Sequence, residues 1–193
     1  MPGKRTLQKE NTKKNIIKTA MCLYASKGFS TPTNIIAKEA GVSHGAIFVH
    51  FPTRDDLQLS VLEQFAHEIG DELHNLAAAD GSIFDLLYAH IQVLEGYEPF
   101  YKGLIKEMPF LPDDAKNMVI ALQSILSRHF NVAIERGKQE GIIKEIPLHI
   151  IFNTWIGLVH YYLQNSDLFA PGESVLKRCK NELVNSFMVL ISK

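Results

Sequence analysis

The sequence predicts an all-α fold, and three observations predict it. Apolar residues recur at helical spacing through nearly the whole chain, and no stretch alternates as a strand does. Helix-start signals precede these runs. Thr53 with Asp56 and Ser82 with Asp85 each fit a capping box, in which a hydroxyl and a carboxylate satisfy free amides at the helix start. Proline and glycine punctuate the runs, with Pro32 and Pro147 at starts and Gly41, Gly96 and Gly141 near ends. About nine helices follow from these signals. Three belong to an N-terminal helix-turn-helix domain over residues 1–52, of which 1–11 form a basic arm. Six belong to a helical body over residues 53–193.

The densest signal is the stretch from Thr31 to Leu57, TPTNIIAKEAGVSHGAIFVHFPTRDDL. Thr31 is placed to cap a helix whose first position is Pro32, where a missing N–H costs nothing. Ile36, Ala37 and Ala40 give that helix one small-sided apolar face for a close crossing. Gly41 suits a left-handed turn, Val42 plugs the corner, and Ser43 caps the next helix. Ile47 and Phe51 fall on one side at i, i+4 and point inward. His44, Gly45, Ala46, Phe48 and His50 then face outward on a helix that Pro52 stops. One short helix on the duplex backbone and the next in the major groove is the arrangement of a DNA-reading helix-turn-helix.

The body reads as further helices. Asp55 and Asp56 favour the positive end of one running to about Ala79. Another opens at Ser82 and ends near Gly96. Residues 97–112, bracketed by Pro99 and Pro109, suggest one or two imperfect helical turns. A long helix starts at Asp113 with Met118, Leu122, Ile125, His129, Val132 and Arg136 along one side, and ends near Gly141. Two more span Pro147 to about Asn165 and about Ser174 to Ser192.

Charge separates along the chain. Residues 1–54 hold nine Lys/Arg and two Glu, whereas 55–193 hold eleven Lys/Arg and nineteen Asp/Glu. A basic head on an acidic body suits a phosphate-binding module joined to a domain that does not bind DNA, with chance segregation of surface charge as the plain alternative. A hydrophobic content of 46% describes a globular chain. No apolar run reaches membrane-span length, and the N-terminus lacks a secretory signal's apolar core. Two scattered cysteines, Cys22 and Cys179, favour a reducing cytoplasm. No phosphate loop, nucleophile elbow or cysteine cluster occurs. His67 and His74 share a helical face, but no third metal ligand has the right spacing. Neither enzyme activity, nor a cofactor, nor a metal is expected.

The run AGVSHGAIFVHF followed by TRDDL resembles the DNA-binding domain of the tetracycline-repressor (TetR) family of transcriptional regulators. TKKNIIKTAMCLYASKGF resembles that family's first helix, with Thr12, Ile16, Ala20, Tyr24, Gly28 and Phe29 in register. The resemblance covers Thr12 to Leu62. Three features depart from it: a link from Phe29 to Thr31 one residue short, Phe48 in place of tyrosine, and Arg54 in place of lysine.

In this reading Ser43 to His50 enters the major groove. His44 and Ala46 meet base edges, and Gly45 permits close backbone approach. Thr33, Phe48, His50 and Arg54 are candidates for phosphates, which set register rather than sequence. The resemblance implies a phosphate contact through a hydroxyl at position 48, which Phe48 lacks, so packing on sugar or burial is the alternative there. His50 is otherwise a helix-end histidine, and Thr33 an ordinary first-turn hydroxyl. Lys4, Arg5, Lys9, Lys13 and Lys14 either follow the DNA backbone or form a solvated tail.

Reading enough base pairs for specificity calls for a two-fold homodimer on a palindromic operator. The expected interface uses Leu176, Cys179, Leu183, Phe187 and Leu190 on the last helix, against a line of Thr154, Gly157 and Tyr161 on the one before. Val184, Met188 and Ile191 form part of a second stripe. A large monomeric core is the alternative. The resemblance implies that these helices pair as a four-helix bundle, that the protein represses, and that a small-molecule effector releases it. Phe84, Tyr88, Tyr97, Phe100, Tyr101, Phe110, Phe152, Trp155 and Tyr161 are the candidate pocket, with ordinary core packing as the alternative for each. A helix-turn-helix module that assembles DNA or protein partners without sensing a ligand is the rival function.

Overall fold

The structure is a computed structural model that describes residues 3–76 and 81–193. Among these residues it has ten α-helices: α1 Lys4–Lys27, α2 Thr33–Glu39, α3 His44–His50, α4 Arg54–Leu76, α5 Ile83–Gly96, α6 Glu98–Glu107, α7 Asp113–Gln139, α8 Leu148–Gln164, α9 Ser166–Phe169 and α10 Val175–Ile191. A 3-10 turn at Met108–Phe110 follows α6, and one antiparallel bridge joins Ile143 to Ser192.

Two compact units are formed, Met1–Ala66 with Pro99–Val119 and His67–Glu98 with Ile120–Lys193. The first draws in residues 53–66 and 99–119, which periodicity alone places in the body. The reason is an aromatic core. Phe29 stacks on Tyr24 at 4.8 Å between ring centres and meets Phe100 at 5.3 Å, and Phe65 lies 4.7 Å from Phe100. All four are buried, and each such side chain contributes about 1.5–3 kcal/mol of apolar transfer free energy. Backbone polarity is satisfied at the same place. The Phe29 carbonyl accepts from Arg54 Nη2 at 2.6 Å and Gln58 Nε2 at 2.9 Å, while its N–H donates to Glu107 Oε1 at 3.2 Å. Gly28, at φ +87°, turns the chain into this clamp, and a Cβ there would meet the Glu107 carboxylate.

In the second unit α10 packs against α5 and α8. Trp155 is fully buried, contacts Phe187 at 5.1 Å between ring centres, and donates from Nε1 to His90 Nδ1 at 3.0 Å. The buried Glu98 carboxylate accepts from Val175 N, Leu176 N and Ser174 Oγ, supplying a second cap at the start of α10. Ser174 itself accepts from Lys177 N at 3.0 Å.

Several local expectations change. Thr31 does not cap α2: its hydroxyl donates to the Gly28 carbonyl at 2.7 Å, and Pro32 is the N-cap. Residues 98–107 are a full helix, because Pro99 sits in the first turn where its missing N–H is harmless. The α7 stripe at Ile125, His129 and Val132 is exposed, and its buried side is Ala115, Val119, Leu126, Phe130, Ala133 and Ile134. From Lys4 onward the basic arm is helical and continuous with α1. Both capping boxes form as read, at Thr53–Asp56 and Ser82–Asp85. Ala79 and the side chain of His74 lie outside the described residues.

Candidate nucleic-acid interface

The turn between α2 and α3 is built by Gly41 at φ +68°, with Val42 N donating back to Ala37 O at 3.0 Å. Only a residue without a Cβ adopts that conformation at no cost. Ser43 then caps α3, its hydroxyl accepting from Ala46 N at 3.2 Å. Ile47 and Phe51 are both buried and anchor the helix, as their i, i+4 spacing predicts. The opposite side of α3 is open: His44 and Gly45 are exposed, Phe48 is 42% and Val49 70% exposed, and Ala46 and His50 are half-buried.

The open side is ordered. His44 Nε2 and Thr33 Oγ1 share a hydrogen bond at 2.9 Å, which ties the first residue of α3 to the first turn of α2. The His44 ring meets Phe48 edge-on at 5.2 Å between centres. Phe48 is therefore not core; it leans on His44 at the surface. His50 ends the helix, and burial together with Lys9 and Lys13 holds its pKa below the ordinary histidine value, favouring the neutral ring. Arg54 is exposed, but one of its amino groups is committed to the Phe29 carbonyl.

Two features of this surface are not evident from the sequence. Val49 is its most exposed apolar residue. It stays hidden because it falls between two outward positions and reads as an ordinary helix former. Lys9 and Lys13 lie near His50, and Lys13 Nζ stands 5.7 Å above the Phe51 ring. Reading residues 1–11 as a separate arm conceals that proximity.

Of the nine aromatics considered for a pocket, Phe100, Tyr101 and Phe110 lie in the first unit and the other six in the second. Phe100 and Tyr101 belong to the aromatic core of the first unit. Phe110 is 86% exposed, and Phe84 stacks on Tyr88 along α5. The Tyr97 hydroxyl donates towards Glu68 Oε2 at 3.1 Å and Glu72 Oε1 at 3.2 Å. Phe152 packs on Phe130, and Trp155 lies against His90 and Phe187. Tyr161 is 56% exposed beside Tyr162 and Phe169.

The interface residues divide into two groups. Leu176, Cys179, Leu183 and Phe187 are buried within their own chain, so they do not offer an outer face. Helix α10 covers both α5 and α8, and this takes up most of its two apolar stripes; Val184 and Ile191 are buried as well. Thr154, Gly157, Tyr161 and Leu190 remain exposed, with Val189 also open.

Residues 16–61 match the model of the family described as bacterial regulatory proteins, tetR family. The uncharacterized HTH-type transcriptional regulator YerO of Bacillus subtilis (strain 168) is 38% identical over 65 residues, 33% of this chain and 22% of YerO. The matched region thus spans about a fifth of that relative's length. The fatty acid metabolism regulator protein of the same organism is 24% identical over 186 residues, covering 88% of this chain and 94% of its own. A transcriptional regulator from Saccharomonospora viridis, solved in complex with choline, superposes with a TM-score of 0.81 at 16% identity, covering 95% and 99% of the two chains. No helix among the described residues is long and apolar enough to cross a membrane. The module that matches this family's model, residues 16–61, is thus a capped helix-turn-helix.

Proposed function

We propose that the protein acts in the cytoplasm as a homodimeric, sequence-specific DNA-binding repressor that a small-molecule effector releases from a palindromic operator. One observation carries this reading: α3 is anchored by buried Ile47 and Phe51 while His44, Gly45, Phe48 and Val49 stand uncovered on its other side. In the major groove, His44 and Ala46 would meet base edges, with Gly45 allowing close approach. Thr33, Ser43, Phe48 and His50 would border the phosphates. Arg54, tied to Phe29, would act mainly by fixing α4 beneath the module. Residues 1–52 supply DNA reading in this proposal, and 53–193 supply dimerisation and effector response. The paired surface would be the open side of α8 and α10 at Thr154, Gly157, Tyr161 and Leu190.

The test is selection of bound duplexes from random DNA. Two inverted half-sites about 34–36 Å apart are expected, with His44→Ala relaxing preference at one position in each half. Recovery of no preferred sequence would sink the reading. A second reading, a regulator or architectural protein without an effector, is favoured by the commitment of Phe100, Tyr101, Phe152 and Trp155 to ring packing within their own units. A thermal-shift panel beginning with choline separates the two, since a ligand that binds only the folded form raises Tm with its concentration.

A further inference from the structure

Helix α1 changes character along one face. Over its second half that face is apolar and buried, at Ile16, Ala20 and Leu23. Continued towards the N-terminus at 3.6 residues per turn, the same side carries Arg5, Lys9 and Lys13 at i, i+4, i+8. All three are exposed. An apolar face that turns basic marks where the helix runs beyond its own domain core. Of the eight charged residues between 4 and 27, seven are Lys or Arg and Glu10 is the exception.

The direction of this overhang is given by its neighbours. Lys13 stands over the Phe51 ring, at the residue that closes α3. Both Lys9 and Lys13 are near enough to His50, the last residue of α3, to oppose its protonation. Three cations spaced over about 12 Å therefore extend from the end of the DNA-reading helix. Like charges held this way repel one another, and a polyanion relieves that repulsion.

We propose that Arg5, Lys9 and Lys13 form a phosphate-binding track that extends the grip of α3 along the DNA backbone beyond the bases it reads. The inference rests on the DNA-binding reading above. Its partner is chosen by charge complementarity: a duplex presents a regular row of phosphates, and each one neutralised releases counterions. Because such pairing carries no base information, the track raises affinity for every sequence alike. Lys14 and Lys18 fall roughly on the opposite side of α1 and take no part.

The experiment is operator affinity against salt for the full-length protein, using the sequence it selects and a scrambled duplex. Arg5→Gln/Lys9→Gln/Lys13→Gln should flatten the log–log salt slope by about 0.9 for each phosphate that is no longer neutralised. It should weaken both duplexes alike, leaving their ratio unchanged. Lys14→Gln/Lys18→Gln, which removes similar charge from the other side, should keep the original slope. Equal slopes for the triple variant and the unaltered protein overturn the track while leaving the DNA-reading helix intact. Equal flattening by both variants also overturns it, since net charge alone would then explain the effect. Unaltered protein that selects no duplex overturns both this inference and the reading beneath it. Far-ultraviolet circular dichroism on each variant checks that α1 remains helical.

Discussion

His90 is a buried base held as a hydrogen-bond acceptor. Trp155 Nε1 gives its hydrogen to His90 Nδ1, so the ring must stay neutral there. Burial, with His160 close by, lowers the His90 pKa from 6.5 to about 3. The unfolded chain therefore takes up a proton between pH 6.5 and 3 that the folded chain refuses. The contribution to stability is complete above pH 6.5 and falls as the pH drops through that window, by up to about 1.4 kcal/mol per pH unit. His90→Gln, which still offers Trp155 an acceptor, should make denaturant midpoints fall less steeply between about pH 7 and pH 5, where the native histidine refuses its proton. Parallel curves would refute the assignment. Tyr24 is the opposite case. Its hydroxyl is buried with no hydrogen-bond partner among the described residues, and burial, partly offset by Arg54, raises its pKa to about 12. Tyr24→Phe removes an unsatisfied group and should stabilise the protein by about 1 kcal/mol; a clear drop in midpoint would count against that view.

At the scale of elements, the ends of helices decide more than their middles. Helix α10 begins with backbone amides held by Glu98, a residue far away in sequence. Glu98→Ala leaves two amides and the Ser174 hydroxyl short of an acceptor. It should cost about 2–5 kcal/mol in chemical denaturation, since each buried group left unsatisfied costs about 1–3 kcal/mol. Glu98→Gln, which keeps one oxygen, should cost less. An alanine variant as stable as the parent would mean that water replaces the carboxylate. The turn from α1 into α2 depends on Gly28 in the same way. Gly28→Ala meets both a left-handed backbone and the Glu107 carboxylate, a combined penalty of about 1–3 kcal/mol. The same change should loosen the Phe29 clamp, read as faster amide exchange at Phe29.

For the whole molecule, the exposed side of α8 is the part that the single chain leaves unexplained. Gly157 lies in mid-helix, where glycine costs about 0.5–1 kcal/mol relative to alanine. Nothing within 4 Å would touch a Cβ placed there. Its smallness therefore serves no neighbour among the described residues of its own chain, which fits close approach by a second copy. Gly157→Arg should leave the monomer folded, turn a dimer into a monomer by light scattering at micromolar concentration, and reduce operator affinity. A dimer persisting in this variant would move the interface elsewhere.

Much of the helix-turn-helix module is legible in the sequence, because its signals are local. A hydroxyl at Ser43, a glycine at Gly41 and two apolar residues four apart act within one or two turns, and nothing distant competes with them. The stripes on α7 and α10 are not legible in the same way. Periodicity says that Leu176, Cys179, Leu183 and Phe187 share a face, but not whether α5 and α8 or a second chain will cover it. The same holds for Phe29: its sequence neighbours are silent about Glu107, Phe100 and Gln58, which hold it. By itself, then, the sequence determined most of the helices, most of their caps and the turn that presents α3, through short-range steric and hydrogen-bonding rules. Tertiary structure alone decided which apolar faces became core, that the basic arm continues α1 beside His50, and which rings Phe100, Phe152 and Trp155 pack against, because burial depends on neighbours that only folding brings together.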